Sequence, residues 1–185
     1  MAPSDTSAAF MQWYAPLHER FARYCASRSL GLDSGDDIAQ DAILSALEQW
    51  ENIEDKDRLF SYMIGIVNNR MRNTLRSRRV HRRFVDNRKH LLSELIPARP
   101  ELALDLHFLL RAVDQLPEQS REALMLTSVS GFSVREVAGI QQSTEGAVKT
   151  RISRARRQLH ETFAEDGREL RLAERLRIYR SILLL

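Results

Sequence analysis

Apolar residues return every three or four positions along most of this chain, and no run of β-branched residues alternates in the two-residue rhythm of a strand. Glycine and proline are scarce, while leucine, alanine and arginine are plentiful. Both features favour helices, so the expected fold class is all-α. With 185 residues and a hydrophobic fraction of 43%, the chain can bury a real core as one domain or as two small ones.

Phe10, Trp13, Leu17, Phe21, Tyr24 and Cys25 recur at helical spacing, and Pro16 marks a kink or a first turn. After the turn-like stretch Gly31 to Gly35, the residues Ala39, Ala42, Ile43, Ala46, Leu47 and Trp50 make a second stripe. Asp37, Gln40, Asp41, Leu44 and Glu48 fall on its opposite face, and carboxylates near a helix start are favoured by the macrodipole. A third helix is expected from about Asp57 to Arg79, with Phe60, Ile64, Val67, Met71 and Leu75 inward and Asn69, Arg72, Arg76 and Arg79 on another face. Phe84 to His107 lacks sustained periodicity and holds Pro97 and Pro100, so it reads as a linker with at most a short helical piece. This gives a first domain over 8–83, a linker over 84–107, a second domain over 108–165 and a helical extension over 166–185.

Charge is segregated along this order. The net charge is only +3, but the front of the chain is acidic, whereas Arg70, Arg72, Arg76, Arg78, Arg79, Arg82, Arg83, Arg88 and Lys89 face Asp86 alone. Lys149, Arg151, Arg154, Arg156 and Arg157 form a second basic cluster. Two separated basic elements suggest two contacts with a polyanion, and the acidic front suggests a different kind of partner.

Several classes are disfavoured. The N-terminus lacks a basic segment followed by an apolar one, and no apolar stretch approaches 18 residues, so a signal peptide or membrane span is not expected. Cys25 is the only cysteine, which rules out an internal disulfide and a cysteine-rich metal site. The five histidines show no metal-ligand spacing and no glycine-rich phosphate loop is present, so we expect no enzyme, no metal and no cofactor. A cytoplasmic location follows as the simplest expectation.

The second domain carries the sharpest local signal. Ser133-Val-Arg-Glu136 has the form of a capping box, in which serine and glutamate satisfy each other's backbone donors. A short helix follows, then a turn at Gln141 and Gln142, then Ser143 as an N-cap for a long basic helix from Thr144 to about Ala164. Short helix, tight turn and basic helix make a helix-turn-helix, whose second helix can enter the major groove. Lys149, Thr150, Ser153 and Arg154 lie on the outward face within reach of base edges. Arg151, Arg156 and Arg157 are better placed for phosphates, and Thr144 with the helix start can also meet one.

At this point the sequence resembles a family. Leu116 to Leu126, Gly131-Phe-Ser-Val-Arg-Glu-Val-Ala138 and Gly146-Ala-Val-Lys-Thr-Arg-Ile-Ser-Arg-Ala-Arg156 look like region four of the extracytoplasmic-function sigma factors, the region that reads the minus-thirty-five element. Asp36-Asp-Ile-Ala-Gln-Asp-Ala-Ile-Leu44 and Phe60-Ser-Tyr-Met-Ile-Gly-Ile-Val-Asn-Asn69 are similar to regions 2.2 and 2.3 of that family. The resemblance runs from Phe10 to Glu161 with both halves in the right order. It implies a subunit that directs core RNA polymerase to promoters. Asp37, Gln40, Asp41 and Leu44 would then dock on the polymerase β′ clamp helices. The second domain would approach the β flap, and an anti-sigma factor is a further implied partner. Phe60, Tyr62 and Asn69 would open the minus-ten element and hold an unstacked base, with Arg72, Asn73, Arg76 and Arg79 along the phosphates. Core packing is the rival reading for Phe60, which shares the inward stripe, and Tyr62 is the better stacking residue. The loop Asn52 to Arg58 is where such proteins hold the flipped base.

The sequence departs from the family's pattern in three places. Tyr62 replaces the usual tryptophan, Asn73 stands at a commonly acidic position, and Gln142 replaces a turn glycine, at a cost of up to about 1 kcal/mol if that site is left-handed. The extension, with Leu172, Leu176, Tyr179 and Leu183 in a stripe, either packs back on the second domain or makes a regulatory contact. Two rival functions remain at this stage. A stand-alone helix-turn-helix regulator leaves Arg70 to Arg83 and the acid-faced helix unexplained, and a protein adaptor predicts no sequence preference on DNA.

Overall fold

A computed structural model describes residues 3–32, 35–76, 78–164 and 172–183. The described residues contain helices and no strand, as the periodicity requires. α1 (Pro3–Tyr14) and α2 (His18–Ser29) are separated by a 3-10 turn over Ala15–Leu17. Pro16 lies in that turn, where its missing N–H and fixed φ end one helix before the next begins. α3 (Gly35–Glu48) and α4 (Leu59–Thr74) complete the first bundle. Ala42 and Ala46 are fully buried on α3, and their small side chains let α4 approach closely. Aromatic rings fill the rest: Phe10 stacks on Tyr14, meets Trp50 edge-on at 5.7 Å, and Tyr14 leads through Phe21 to Phe60. Trp13 departs from its stripe and is exposed. Cys25 is packed in this core, where burial pushes its thiol up to about 12.

The segment expected to be a linker is helical. The helix expected over 57–79 ends at Thr74, α5 (Arg78–Leu95) follows, and α6 (Pro100–Asp114) starts on Pro100 in its first turn. Periodicity failed to reveal α5 because a cation occupies the middle of its stripe: Phe84, Arg88 and Leu92 are all buried, in the order apolar, charged, apolar. Arg88 is tolerated there because it pairs with Asp114 of α6 at 2.6 Å and lies over the Phe84 ring at 4.7 Å. Gly31, at φ +100°, sits under the same crossing, where a Cβ would come within 2.7 Å of the Phe84 carbonyl oxygen. Phe84 to His107 thus folds back on itself as the packed α5–α6 pair, instead of reaching the roughly 80 Å of an extended chain.

α7 (Glu118–Ser128), α8 (Val134–Ile140) and α9 (Glu145–Ala164) build the second bundle on α6, with Leu106, Leu109, Leu124, Leu126, Val137, Val148 and Leu159 inside. The capping box is present in both directions at Ser133 and Glu136. α8 ends in a Schellman turn: Ser143 N–H donates to the Ala138 carbonyl and Gln142 N–H to that of Gly139. Gln142 has φ 47° there, the left-handed site anticipated from the missing glycine. The cap of α9 is Thr144 and not Ser143, since the Thr144 hydroxyl accepts from Ala147 N–H at 3.2 Å. α10 (Leu172–Ile182) packs back against α6, α7 and α9. Its Leu176 and Tyr179 are buried, and Arg175, almost fully buried, pairs with Asp105 at 2.8 Å.

A non-glycine residue held left-handed costs about 1–2 kcal/mol, and glycine removes that strain at the expense of unfolded-state entropy. Gln142→Gly should therefore stabilise the chain by about 0.5–1 kcal/mol, read as a higher denaturant midpoint with an unchanged slope.

Candidate functional site

Three faces carry the residues singled out from the sequence. On α3, Asp37, Gln40 and Leu44 are exposed, and Leu44 shows 56% of its surface to solvent although it is apolar. Asp41 is only half exposed and receives a hydrogen bond from Arg70 of α4. Of these four residues, three are open to solvent and one is tied to the neighbouring helix.

On α4, Tyr62, Asn69, Arg72, Asn73 and Arg76 are exposed. Phe60 is not among them: it is 5% exposed, wedged between Phe21 at 5.7 Å and Phe132 of the second bundle at 4.7 Å. Core packing, the rival reading, describes Phe60 in this structure. The Arg79 side chain lies outside the described residues. The loop from Asn52 to Arg58 is held firmly, because Lys56 donates to the carbonyls of Trp50 and Ile53 and lies over the Trp50 ring at 4.2 Å.

On α9, Thr144, Lys149, Thr150, Ser153, Arg154, Arg156 and Arg157 are exposed. Thr144 spends its oxygen on the cap, and Thr150 donates to the Gly146 carbonyl, so both hydroxyls are partly committed within the helix. Arg151 is half-buried and donates to Gln141 Oε1 at 2.9 Å. It thereby braces the turn of the helix-turn-helix, a role the spacing alone does not disclose. Lys149 and Arg157 make only loose i, i+4 pairs with Glu145 and Glu161, which are worth little in water.

The two bundles meet along α4. Arg20 of α2 donates to both carboxylate oxygens of Glu136 at 2.8 and 3.0 Å, and its guanidinium lies 3.6 Å over the Phe132 ring. Ser61 donates to the Gly139 carbonyl at 3.4 Å and Arg72 to Glu118 at 2.7 Å. Tyr24 donates to Asn68 Oδ1 at 2.7 Å, and the Asn68 amide donates to Glu122. Burial, first of all, raises the Glu122 carboxyl above its ordinary range, against hydrogen bonds from Gln141 and Asn68 that lower it. Tyr179 of α10 donates to the Ser27 carbonyl at 3.1 Å. Asn68, Glu118, Glu122, Arg20 and Phe132 were not singled out from the sequence. Asn68 alone left a trace, as a polar residue in phase with the apolar stripe Ile64, Val67 and Met71.

The described residues are thus two helical bundles with an exposed acid-bearing face on α3, a basic face on α4 and a capped helix-turn-helix. The Sigma-70 region 2 family model matches residues 10–80 and the Sigma-70, region 4 model matches residues 109–159. The ECF RNA polymerase sigma factor EcfG of Rhodopseudomonas palustris is 31% identical over 79% of this chain and 80% of its own length. The RNA polymerase sigma factor CnrH of Cupriavidus metallidurans is 30% identical over 90% of this chain and 92% of its own. The structure of CnrH in complex with the cytosolic domain of CnrY superposes with a TM-score of 0.59 at 25% identity, covering 89% of this chain and 94% of that one. This chain belongs to the extracytoplasmic-function sigma factors and is a promoter-directing subunit that binds core RNA polymerase and promoter DNA. A stand-alone regulator is not favoured, because it gives the region 2 match no role. Among the described residues no helix is long and apolar enough to cross a membrane.

The junction has a defined pH dependence. The hydrogen bond from Arg20, foremost, holds the Glu136 carboxyl at about 2 against an ordinary value of 4.5. The unfolded chain takes up this proton at higher pH than the folded one, so the contribution is complete above about pH 4.5 and is lost as pH falls towards 2. Glu136→Gln retains the capping box and removes the charge. The stability gap between wild type and this variant should be widest near neutrality and close across that acid window in denaturant titrations.

Proposed function

We propose that α3 docks this subunit on the β′ clamp helices of core polymerase, that α4 reads and opens the minus-ten element, and that α9 reads the minus-thirty-five element. The second bundle would lie near the β flap. The observation that carries the reading is the pair of exposed basic faces, on α4 and α9, each in the module whose sequence matches a promoter-contacting sigma region. An exposed leucine between carboxylates on α3 supports the docking role, because an apolar anchor ringed by charge is what a protein interface requires. Tyr62 is the stacking residue for an unpaired base, at about 1–3 kcal/mol per base, with Asn69 beside it and Arg72, Asn73 and Arg76 along the strand. Arg79 belongs to the same basic run in the sequence.

On α9, Lys149, Thr150, Ser153 and Arg154 would meet base edges, and Arg156 and Arg157 the phosphates, with Thr144 at the helix start beside the backbone. Arg151 joins the phosphate contacts only on release from Gln141. Neither module need bind tightly alone, since attachment to polymerase raises the effective concentration of each at its element. The chain works without cofactor or enzymatic step, in the cytoplasm, and an anti-sigma factor is a fitting antagonist: the related CnrH was solved with the cytosolic domain of CnrY.

Run-off transcription with purified core enzyme tests this directly, since a sigma factor confers promoter-specific starts with no other sigma present. Leu44→Ala should leave stability within about 0.5 kcal/mol, as its side chain is already in water, yet weaken core binding by about 1–2 kcal/mol in a titration against labelled core enzyme. Arg154→Ala should relax preference at one minus-thirty-five position by about 1–3 kcal/mol, whereas Arg157→Ala should weaken all templates alike and lower the salt slope by about 1. Equal losses on every template from Arg154→Ala would contradict its assignment to a base.

A further inference from the structure

We propose that the cleft where the ends of α2 and α4 meet the starts of α5 and α7 is a binding site for a small di- or polyphosphate anion, held by Arg28, Arg76 and Arg121. Nothing in this site depends on how α3, α4 or α9 meets polymerase or promoter.

The cleft measures 460 Å³, within the range of about 300–1,000 Å³ that small-molecule sites occupy. Arg28, Arg76 and Arg121 line it, and none of the three forms an ion pair with a carboxylate among the described residues. Arg28 is the sharpest case. It stands in the last turn of α2, half-buried, and its Nε is buried with no hydrogen-bond partner among the described residues. A stranded donor on a permanent cation costs free energy that an anion recovers. Arg121 is fixed beside it by donating to the Asp114 carbonyl at 3.0 Å. Burial first, and then the Arg28 charge, lowers the pKa of Arg121 below its ordinary value, so the two guanidiniums disfavour each other. Paired arginines of this kind beside open space match the charge and donor geometry of a phosphate.

The carboxylates nearby are already engaged. Asp114 accepts from Arg88 at 2.6 Å and Glu118 from Arg72 at 2.7 Å, while Glu122 accepts from Asn68 and Gln141. An incoming anion therefore meets three arginines whose charge no carboxylate answers directly. Met71, Leu75 and Phe84 form an apolar wall of the same cleft, which suits the organic part of a phosphate ester. A second cleft of 540 Å³ shares Leu75, Arg76, His81 and Asp114 with the first and adds Arg82 and Arg111 against Asp86. Arg76 and His81 thus stand between two basic recesses, and a ligand with more than one phosphate can reach both. A DNA duplex cannot enter a recess of this volume, which favours a free anion over a strand.

Calorimetric titration of the full chain with inorganic pyrophosphate at fixed ionic strength tests the site. Wild type should bind one pyrophosphate saturably, and more weakly as salt is raised. Arg28→Met keeps the apolar stem, removes the guanidinium and should lower affinity at least about tenfold. Arg76→Gln should lower it too, at an exposed position where the fold is not at stake. Lys89→Gln removes the same charge from an exposed position outside the cleft and should leave affinity unchanged. Circular dichroism checks that each variant is folded. Titration with a single-stranded oligonucleotide separates the two sources of phosphate: Arg28→Met should bind it as wild type does. Three results would each overturn the site: no saturable binding of pyrophosphate, equal affinity for it in wild type and in folded Arg28→Met and Arg76→Gln, or a loss in Arg28→Met confined to the oligonucleotide.

Discussion

The contact between Phe60 and Phe132, roofed by the Arg20 guanidinium, is where the two halves of this molecule become one structure. Phe60 is the last member of an aromatic path that starts at Phe10 and runs through Tyr14 and Phe21, so the core of the first bundle ends on the surface of the second. A ring left facing water there would forfeit about 1.5–3 kcal/mol of burial. The helix-turn-helix supplies the covering surface, and Arg20 adds a charged bond to Glu136 on the same spot. Since Glu136 also closes the capping box of α8, the residue that caps the first helix of the helix-turn-helix is the one that ties it to α2.

The same thrift appears in the connecting segment. α5 and α6 pack as a pair around a buried Arg88, whose charge is answered by Asp114 and by the ring of Phe84. A buried ion pair contributes little net stability compared with an apolar pair of the same size, but breaking one partner leaves a stranded charge. The arrangement therefore fixes how α5 and α6 meet more than how tightly. With this segment helical, the two modules are joined by a packed pair of helices and not by an extended strand.

Much of this was legible in the residues. Helical class, the capping box, the left-handed turn at Gln142 and the faces of α3 and α9 follow from local rules: spacing, caps and the cost of a positive φ. What escaped was produced by long-range partners. α5 escaped because Arg88 breaks an apolar stripe that only Asp114, on another helix, makes tolerable. The roles of Glu118, Glu122 and Asn68 escaped because a glutamate on a helix surface looks solvated until the arginine or amide facing it is known. Arg151 carries the charge of a phosphate contact, and only the position of Gln141 reveals its bracing role. Membership of the sigma factors rests on both halves at once, since an acidic helix or a basic one alone has many uses.

Structure and family together describe a promoter-directing subunit whose two bundles pack on each other and leave the outer faces of α3, α4 and α9 open to solvent. Exposure of Leu44, Asp37 and Gln40 and concealment of Phe60 are two sides of one arrangement. The claim at the centre is that this subunit seats on core polymerase through the exposed face of α3. Hydrogen exchange of the chain, free and bound to purified core enzyme, reports this segment by segment. The account predicts slower exchange over α3 in the complex than in the free chain. Equal exchange over α3 in both states would contradict it.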